Sequence, residues 1–136
     1  MMIYFLVKIL FVAFFINLLY ELLHSVLYKT CIEAPLKKYV YLILKGAIFD
    51  AFSITIIYFA TYLIFKNINP FDSGAQIFAF LSINLILAYF WETYSIRNKR
   101  WEYSDAMPII LNVGITPLFQ LAFTGIISLY LVIYFC

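Results

Sequence analysis

The run IYFLVKILFVAFFINLLYELLHSVLY, residues 3–28, is long and apolar enough to cross a lipid bilayer as a single helix. Three further apolar runs follow, at about 39–65, 75–95 and 106–135. A transmembrane helix needs about 20 mostly apolar residues, whereas a membrane β-strand needs only about 9–11 residues that alternate in polarity. Because these runs are long and do not alternate, the sequence predicts an all-α integral membrane protein with four transmembrane helices.

The composition of the chain supports the same class. Of its 136 residues, 66% are hydrophobic and only 12% are charged, whereas soluble domains carry about 25% charged residues. The mean hydropathy is +1.00. These values exclude a soluble enzyme, a disordered chain and a nucleic-acid-binding protein, and they make membrane lipids the expected surroundings.

The segments between the apolar runs are short and polar, and the chain has no repeat, linker or low-complexity tract. Short connections make consecutive helices antiparallel neighbours. Residues 1–136 are therefore predicted to form a single transmembrane domain, an up-down four-helix bundle. The first run lacks a basic start and a cleavage site, so it is interpreted as a retained helix rather than a signal peptide.

The distribution of basic residues predicts the orientation of this bundle. Segments 29–38 and 96–105 carry six lysines and arginines, and the opposite side carries only Lys8 and Lys66. Cytoplasmic segments of membrane proteins are enriched in basic residues. We therefore expect a multi-pass protein of the cell membrane with both termini on the non-cytoplasmic side. Cys31 and Cys136 then lie on opposite sides of the membrane and do not pair.

Four ionisable residues within the predicted helices, Glu21, His24, Asp50 and Glu92, are the candidate catalytic groups. A charged side chain near the bilayer centre costs at least about 2.5–3.5 kcal/mol, so such residues are rare and usually functional. Their positions place them in the cytoplasmic half of the bundle. A carboxylic acid beside an imidazole suits general acid–base chemistry, because the two groups can exchange a proton.

Each predicted helix also carries one stripe of polar residues at three- or four-residue spacing, the spacing of a helix face. Such stripes should turn inward and line a polar chamber that opens to the cytoplasmic leaflet. Polar residues between membrane helices can instead serve only as interhelical hydrogen-bonding groups. On the functional interpretation, six residues are predicted to bind substrate: Asn17, Asn84, Trp91, Tyr103, Asn112 and Gln120. Pro117 is expected to bend the fourth helix.

No cofactor or metal is expected. Glu21 and His24 have the i, i+3 spacing of ligands in di-iron bundles, but such sites need this motif twice, and His24 is the only histidine. A mononuclear site formed by the four ionisable residues is the remaining metal alternative, because carboxylates and imidazole are both metal ligands.

Three functions fit this pattern. The leading hypothesis is a protein that binds a hydrophobic small molecule, such as a lipid, isoprenoid or quinone, and acts on it by acid–base chemistry, which would make it a membrane-embedded enzyme. A proton-coupled small transporter that works as a homo-oligomer is the second. An accessory subunit, whose polar stripes meet the helices of a partner, is the third.

Overall fold

The computed structural model describes residues 1–136, and its regular elements are helices apart from one short β-hairpin. Five α-helices and two strands follow in chain order: α1 Met2–His24, α2 Lys29–Ile32, α3 Leu36–Phe65, α4 Gly74–Arg97, β1 Ile109–Ile110, β2 Val113–Gly114 and α5 Ile115–Tyr134. A 3₁₀ turn, Ser25–Leu27, extends α1, and a second one, Pro70–Asp72, precedes α4. The extended α1 and helices α3, α4 and α5 are long and apolar enough to span a membrane. The prediction of a helical, multi-pass membrane protein is confirmed.

The ends of the long helices follow from local sequence. Pro35 precedes α3 in an extended conformation, and Lys66 ends that helix in the left-handed conformation. The Ser73 side chain accepts a hydrogen bond from the backbone N–H of Gln76 and so caps the start of α4.

The prediction for the fourth long helix is wrong over its first nine residues. The helix begins at Ile115 and not at residue 106, and residues 109–114 instead form an antiparallel hairpin that pairs Ile109 with Gly114. The 20 residues of α5 are by themselves enough to cross the hydrocarbon core. Nothing therefore requires the preceding segment to be helical.

Pro117 does not lie in the middle of a helix, where it was expected to cause a bend. Pro117 is the third residue of α5. The first turn of a helix has no internal acceptors for its backbone N–H groups, so proline is tolerated there without breaking a hydrogen bond.

The four long helices pack in a ring, in which α1 and α4 each contact both α3 and α5. One end of the bundle contains the segments 25–35 and 98–114, where Tyr28 pairs with Tyr103 in an isolated β-bridge. We call this the site end. Towards the other end an apolar cluster that includes Ile54 and Phe80 fills the interior. Gly125 admits the Phe80 ring, because a Cβ at position 125 would lie 2.9 Å from Phe80 Cζ.

Candidate functional site

A cavity of about 290 Å³ lies inside the site end of the bundle. Its lining comes from the four long helices, from α2 and from the loop that follows α4. Three of the four predicted catalytic residues, Glu21, Asp50 and Glu92, line it. The polar faces of separate helices therefore meet around one space.

Gln120 on α5 joins two of these acids. Its Nε2 donates to Asp50 Oδ2 at 2.7 Å, to Glu21 Oε1 at 3.1 Å and to Asn17 Oδ1 at 3.2 Å. A side-chain amide has only two hydrogens, so three acceptors compete for them. The shared donor holds the carboxyl groups of α1 and α3 next to each other, and Asn17 reaches the site only through Gln120.

The second oxygen of Glu21 faces His24, the fourth predicted catalytic residue. Glu21 Oε2 lies 3.1 Å from His24 Nε2, and His24 Nδ1 lies 3.2 Å from the hydroxyl of Thr116. His24 is buried behind Glu21 and is not part of the cavity lining. The Glu21 carboxyl group therefore connects the cavity to a buried imidazole, an arrangement through which a proton can pass.

The place of the Glu21 carboxyl group is created by Gly46 on α3. A Cβ at position 46 would lie 2.9 Å from Glu21 Oε1 and 3.0 Å from Glu21 Cδ. Real Cβ atoms do not approach other heavy atoms so closely. The glycine therefore lets a carboxyl group of α1 lie directly against the backbone of α3.

Glu92 is held by two donors from the loop after α4. Its Oε2 accepts from the Tyr103 hydroxyl at 2.6 Å and from Trp101 Nε1 at 3.2 Å. Burial, and next the hydrogen bond to Glu92, raise the pKa of Tyr103, so its hydroxyl keeps its proton and acts as the donor. Trp101 lines the cavity, whereas Tyr103 supports Glu92 from behind.

A column of stacked aromatic and cationic groups borders the cavity. The rings of Phe49 on α3 and Trp91 on α4 are stacked at 4.6 Å. The Arg100 guanidinium lies 4.7 Å from the centre of the Trp91 ring and 5.4 Å from that of Trp101. From the sequence, Arg100 was interpreted as a determinant of orientation, with the binding of an anionic lipid headgroup as the alternative. Its place between two tryptophans in the chain was the available signal for a cation–π contact.

Asn84 and Asn112 do not line the cavity. Asn84 is buried on α4, where its Nδ2 donates to the Phe80 carbonyl at 2.8 Å. Asn112 is exposed at the tip of the β-hairpin. The prediction that Asn112 lies on the fourth long helix, within the run 106–135, is wrong because the helix starts three residues later, at Ile115.

The carboxyl groups of the cavity are held by amide, hydroxyl, indole and imidazole groups. No three His, Cys, Asp or Glu side chains lie in an arrangement that could hold a metal ion. The chemistry that this geometry offers is the binding of a polar group and the transfer of protons.

The fold and the cavity define a class, a multi-pass membrane protein with a cavity between its four long helices that three acidic side chains line. No protein-family model, curated protein or solved structure matches the chain. The geometry and chemistry of the cavity are therefore the basis for the function.

Proposed function

We propose that the chain is a multi-pass protein of the cell membrane that binds a hydrophobic small molecule and acts on it by acid–base chemistry. The observation that carries this proposal is the convergence of Glu21, Asp50 and Glu92 on one cavity. Ionisable groups inside a membrane are costly, and a bundle that needed only interhelical contacts could use neutral residues instead. Three acids around accessible space fit a binding or reaction site.

The proposed roles follow from the contacts. Glu21 transfers a proton to or from the ligand, and His24 exchanges protons with Glu21 across their 3.1 Å contact. Asp50 and Gln120 orient the polar group of the ligand. Glu92, fixed by Trp101 and Tyr103, acts as a second acid or as a hydrogen-bonding group at the other side of the cavity.

The size of the cavity supports an amphiphilic ligand. Small-molecule pockets have volumes of about 300–1,000 Å³, and this cavity has about 290 Å³. A polar head group fits into this space, and a longer apolar tail would extend into the surrounding lipid. Lipids, isoprenoids and quinones all have this shape.

The proposed orientation places the site end at the cytoplasmic face of the membrane, with both termini outside. The basic segments 29–38 and 96–105 support it, because cytoplasmic segments are enriched in Lys and Arg. In this orientation the cavity opens to the cytoplasmic leaflet.

A proton-coupled transporter is the second candidate. The shared contact of Glu21 and Asp50 with Gln120 favours it, because adjacent carboxyl groups can take up and release a proton together. The apolar cluster with Ile54 and Phe80 fills the other half of the bundle. A transport pathway would then need a homo-oligomer. The third possibility, an accessory subunit, has less support, because the buried acids face a cavity rather than the outer surface.

Analysis of bound molecules tests the proposal. The protein is purified in mild detergent, and co-purifying molecules are identified by mass spectrometry for the wild type, Glu21→Gln and the control Glu102→Gln. Glu102 is exposed on the loop after α4 and does not line the cavity. We expect a specific hydrophobic molecule to co-purify with the wild type and with the control. With Glu21→Gln, the amount or the chemical form of this molecule should differ.

The same samples separate the candidate functions. Chemical change of a lipid extract by the wild type but not by Glu21→Gln indicates an enzyme. Proton-dependent uptake into vesicles without chemical change indicates a transporter. The absence of any bound hydrophobic molecule, together with aggregation of the isolated chain, contradicts both and favours an accessory subunit.

A further inference from the structure

The hairpin formed by residues 109–114 presents apolar side chains outward. Ile109, Ile110 and Leu111 are 52%, 43% and 69% exposed. Val113, by contrast, is buried, and its strand packs against α4 and α5. The hairpin is therefore fixed to the bundle on one side and shows three large apolar residues on the other.

The conformation of the turn makes this exposure notable. Leu111 and Asn112 have φ values of 51° and 66°, as the two central residues of a type I′ turn require. Asparagine and glycine adopt this conformation readily, but a leucine is strained in it. An apolar side chain is kept at the tip where the backbone favours a small or polar residue. Strain of this kind is a pointer to function.

The position of the hairpin identifies what it contacts. The hairpin ends at Gly114, directly before α5 enters its membrane-spanning stretch. The loop before it is tied to the end of the first span, since the Ser104 N–H donates to the Leu27 carbonyl at 2.8 Å. The hairpin therefore lies next to the ends of two membrane-spanning helices.

We infer that the hairpin is a membrane-interface anchor whose apolar tip inserts among the lipids of the bilayer that the four helices cross. The exposed side chains of the hairpin continue directly into α5, whose outer face exposes Phe119 and Phe123. Free backbone groups along the hairpin edges cannot lie in the hydrocarbon core without partners. The tip therefore lies at the boundary between headgroups and acyl chains, the level at which interfacial segments bind. This inference does not depend on the function proposed for the cavity.

Site-directed fluorescence tests the anchor in the full-length protein. The native cysteines, Cys31 and Cys136, are replaced by serine. A single cysteine is then introduced by Leu111→Cys, by Ile109→Cys or, as a control, by Asp105→Cys, and labelled with an environment-sensitive dye. Asp105 is exposed in the loop just before the hairpin. The proteins are reconstituted in vesicles of phosphatidylcholine and phosphatidylglycerol.

Labels at positions 111 and 109 should emit at shorter wavelength than the label at position 105. Lipids that carry a nitroxide close to the headgroup should quench the labels at positions 111 and 109. Aqueous iodide should quench the control label at position 105. Two outcomes overturn the inference. In one, the labels at positions 111 and 109 emit at the same wavelength as the control and are not quenched by nitroxide lipids. The other is a shift that grows with protein density without lipid quenching, which would assign the tip to a contact with a second copy of the chain.

Discussion

Gly46→Ala is a substitution whose effect on the cavity can be worked out from a single contact. The new methyl group would lie 2.9 Å from Glu21 Oε1 and 3.0 Å from Glu21 Cδ, so the carboxyl group must move away from α3. Its contacts with Gln120 and His24, at 3.1 Å each, would be lost or lengthened. Each such hydrogen bond contributes about 0.5–1.5 kcal/mol.

The expected magnitudes differ for folding and for binding. Overpacking destabilises by about 1–3 kcal/mol, and the replacement of a helical glycine by alanine stabilises by about 1 kcal/mol. The net free energy of unfolding should therefore fall by no more than about 2 kcal/mol. The two weakened contacts of Glu21 lie within the protein and are part of this folding cost. The displaced carboxyl group should also lose one hydrogen bond to the ligand, about 0.5–1.5 kcal/mol or about 2- to 13-fold in affinity. Gly46→Ala should thus remain folded and retain less ligand.

Thermal unfolding in detergent and mass-spectrometric measurement of the retained ligand are the assays. Gly74→Ala is the matched control, because a Cβ at position 74 meets nothing within 4 Å. Combining Gly46→Ala with Glu21→Asp should restore part of the binding, since the shorter acid withdraws from the new methyl group. Full ligand retention in Gly46→Ala would refute the reasoning that the position of Glu21 governs binding.

Three further predictions concern orientation, packing and pH. Burial raises the pKa of Cys31, so a maleimide should label this thiol slowly. In the proposed orientation, Cys31 should be labelled only from the cytoplasmic side and Cys136 only from outside. Gly125→Ala should lower the free energy of unfolding by up to about 2 kcal/mol, because its methyl group would meet the Phe80 ring at 2.9 Å while the helix gains about 1 kcal/mol. Tyr103 has a raised pKa. Its contribution to stability is therefore complete below about pH 10 and is lost as the pH rises further, and Tyr103→Phe should reduce this alkaline loss of thermal stability.

Each of these three has its own control and contrary outcome. Labelling of Cys31 from outside would reverse the proposed orientation. Gly74→Ala again controls for helix propensity, and an unchanged unfolding temperature in Gly125→Ala would mean that the Phe80 ring is free to move. Tyr4→Phe, at an exposed position, is the control for pH. If the unfolding temperatures of Tyr103→Phe and Tyr4→Phe fall equally with rising pH, the environment of Tyr103 does not contribute to the alkaline loss of stability.

The sequence predicted the features that depend on periodicity and on the thickness of a bilayer. Apolar runs of about 20 residues predict transmembrane helices, and polar residues at helical spacing predict the faces that are buried in the bundle. Glu21, Asp50, Glu92 and Gln120 were found in this way, and all four line one cavity. The cost of a charge in lipid makes this kind of inference stronger for membrane helices than for soluble ones.

The sequence could not predict where an apolar segment stops being helical. Residues 106–114 are as apolar as the start of a membrane helix, and Pro108 is compatible with a first helical turn. The hairpin is recognisable only from Leu111 and Asn112, a pair less typical of such turns than Asn-Gly. Because the predicted helix started nine residues too early, Asn112 was placed on a helix face and Pro117 in the interior of a helix.

The non-helical segment also explains how so small a bundle can hold acids inside a membrane. Lipid-exposed backbone must satisfy its own hydrogen bonds, so irregular segments occur at membrane depth only where they line a cavity or are buried in protein. Here the loop after α4 supplies Trp101 and Tyr103 to Glu92. Met107, at the start of the hairpin segment, accepts from the Thr116 hydroxyl that also faces His24. The helices bring the acids together and supply Gln120 as the donor to Glu21 and Asp50, whereas the donors to Glu92 come from the loop after α4.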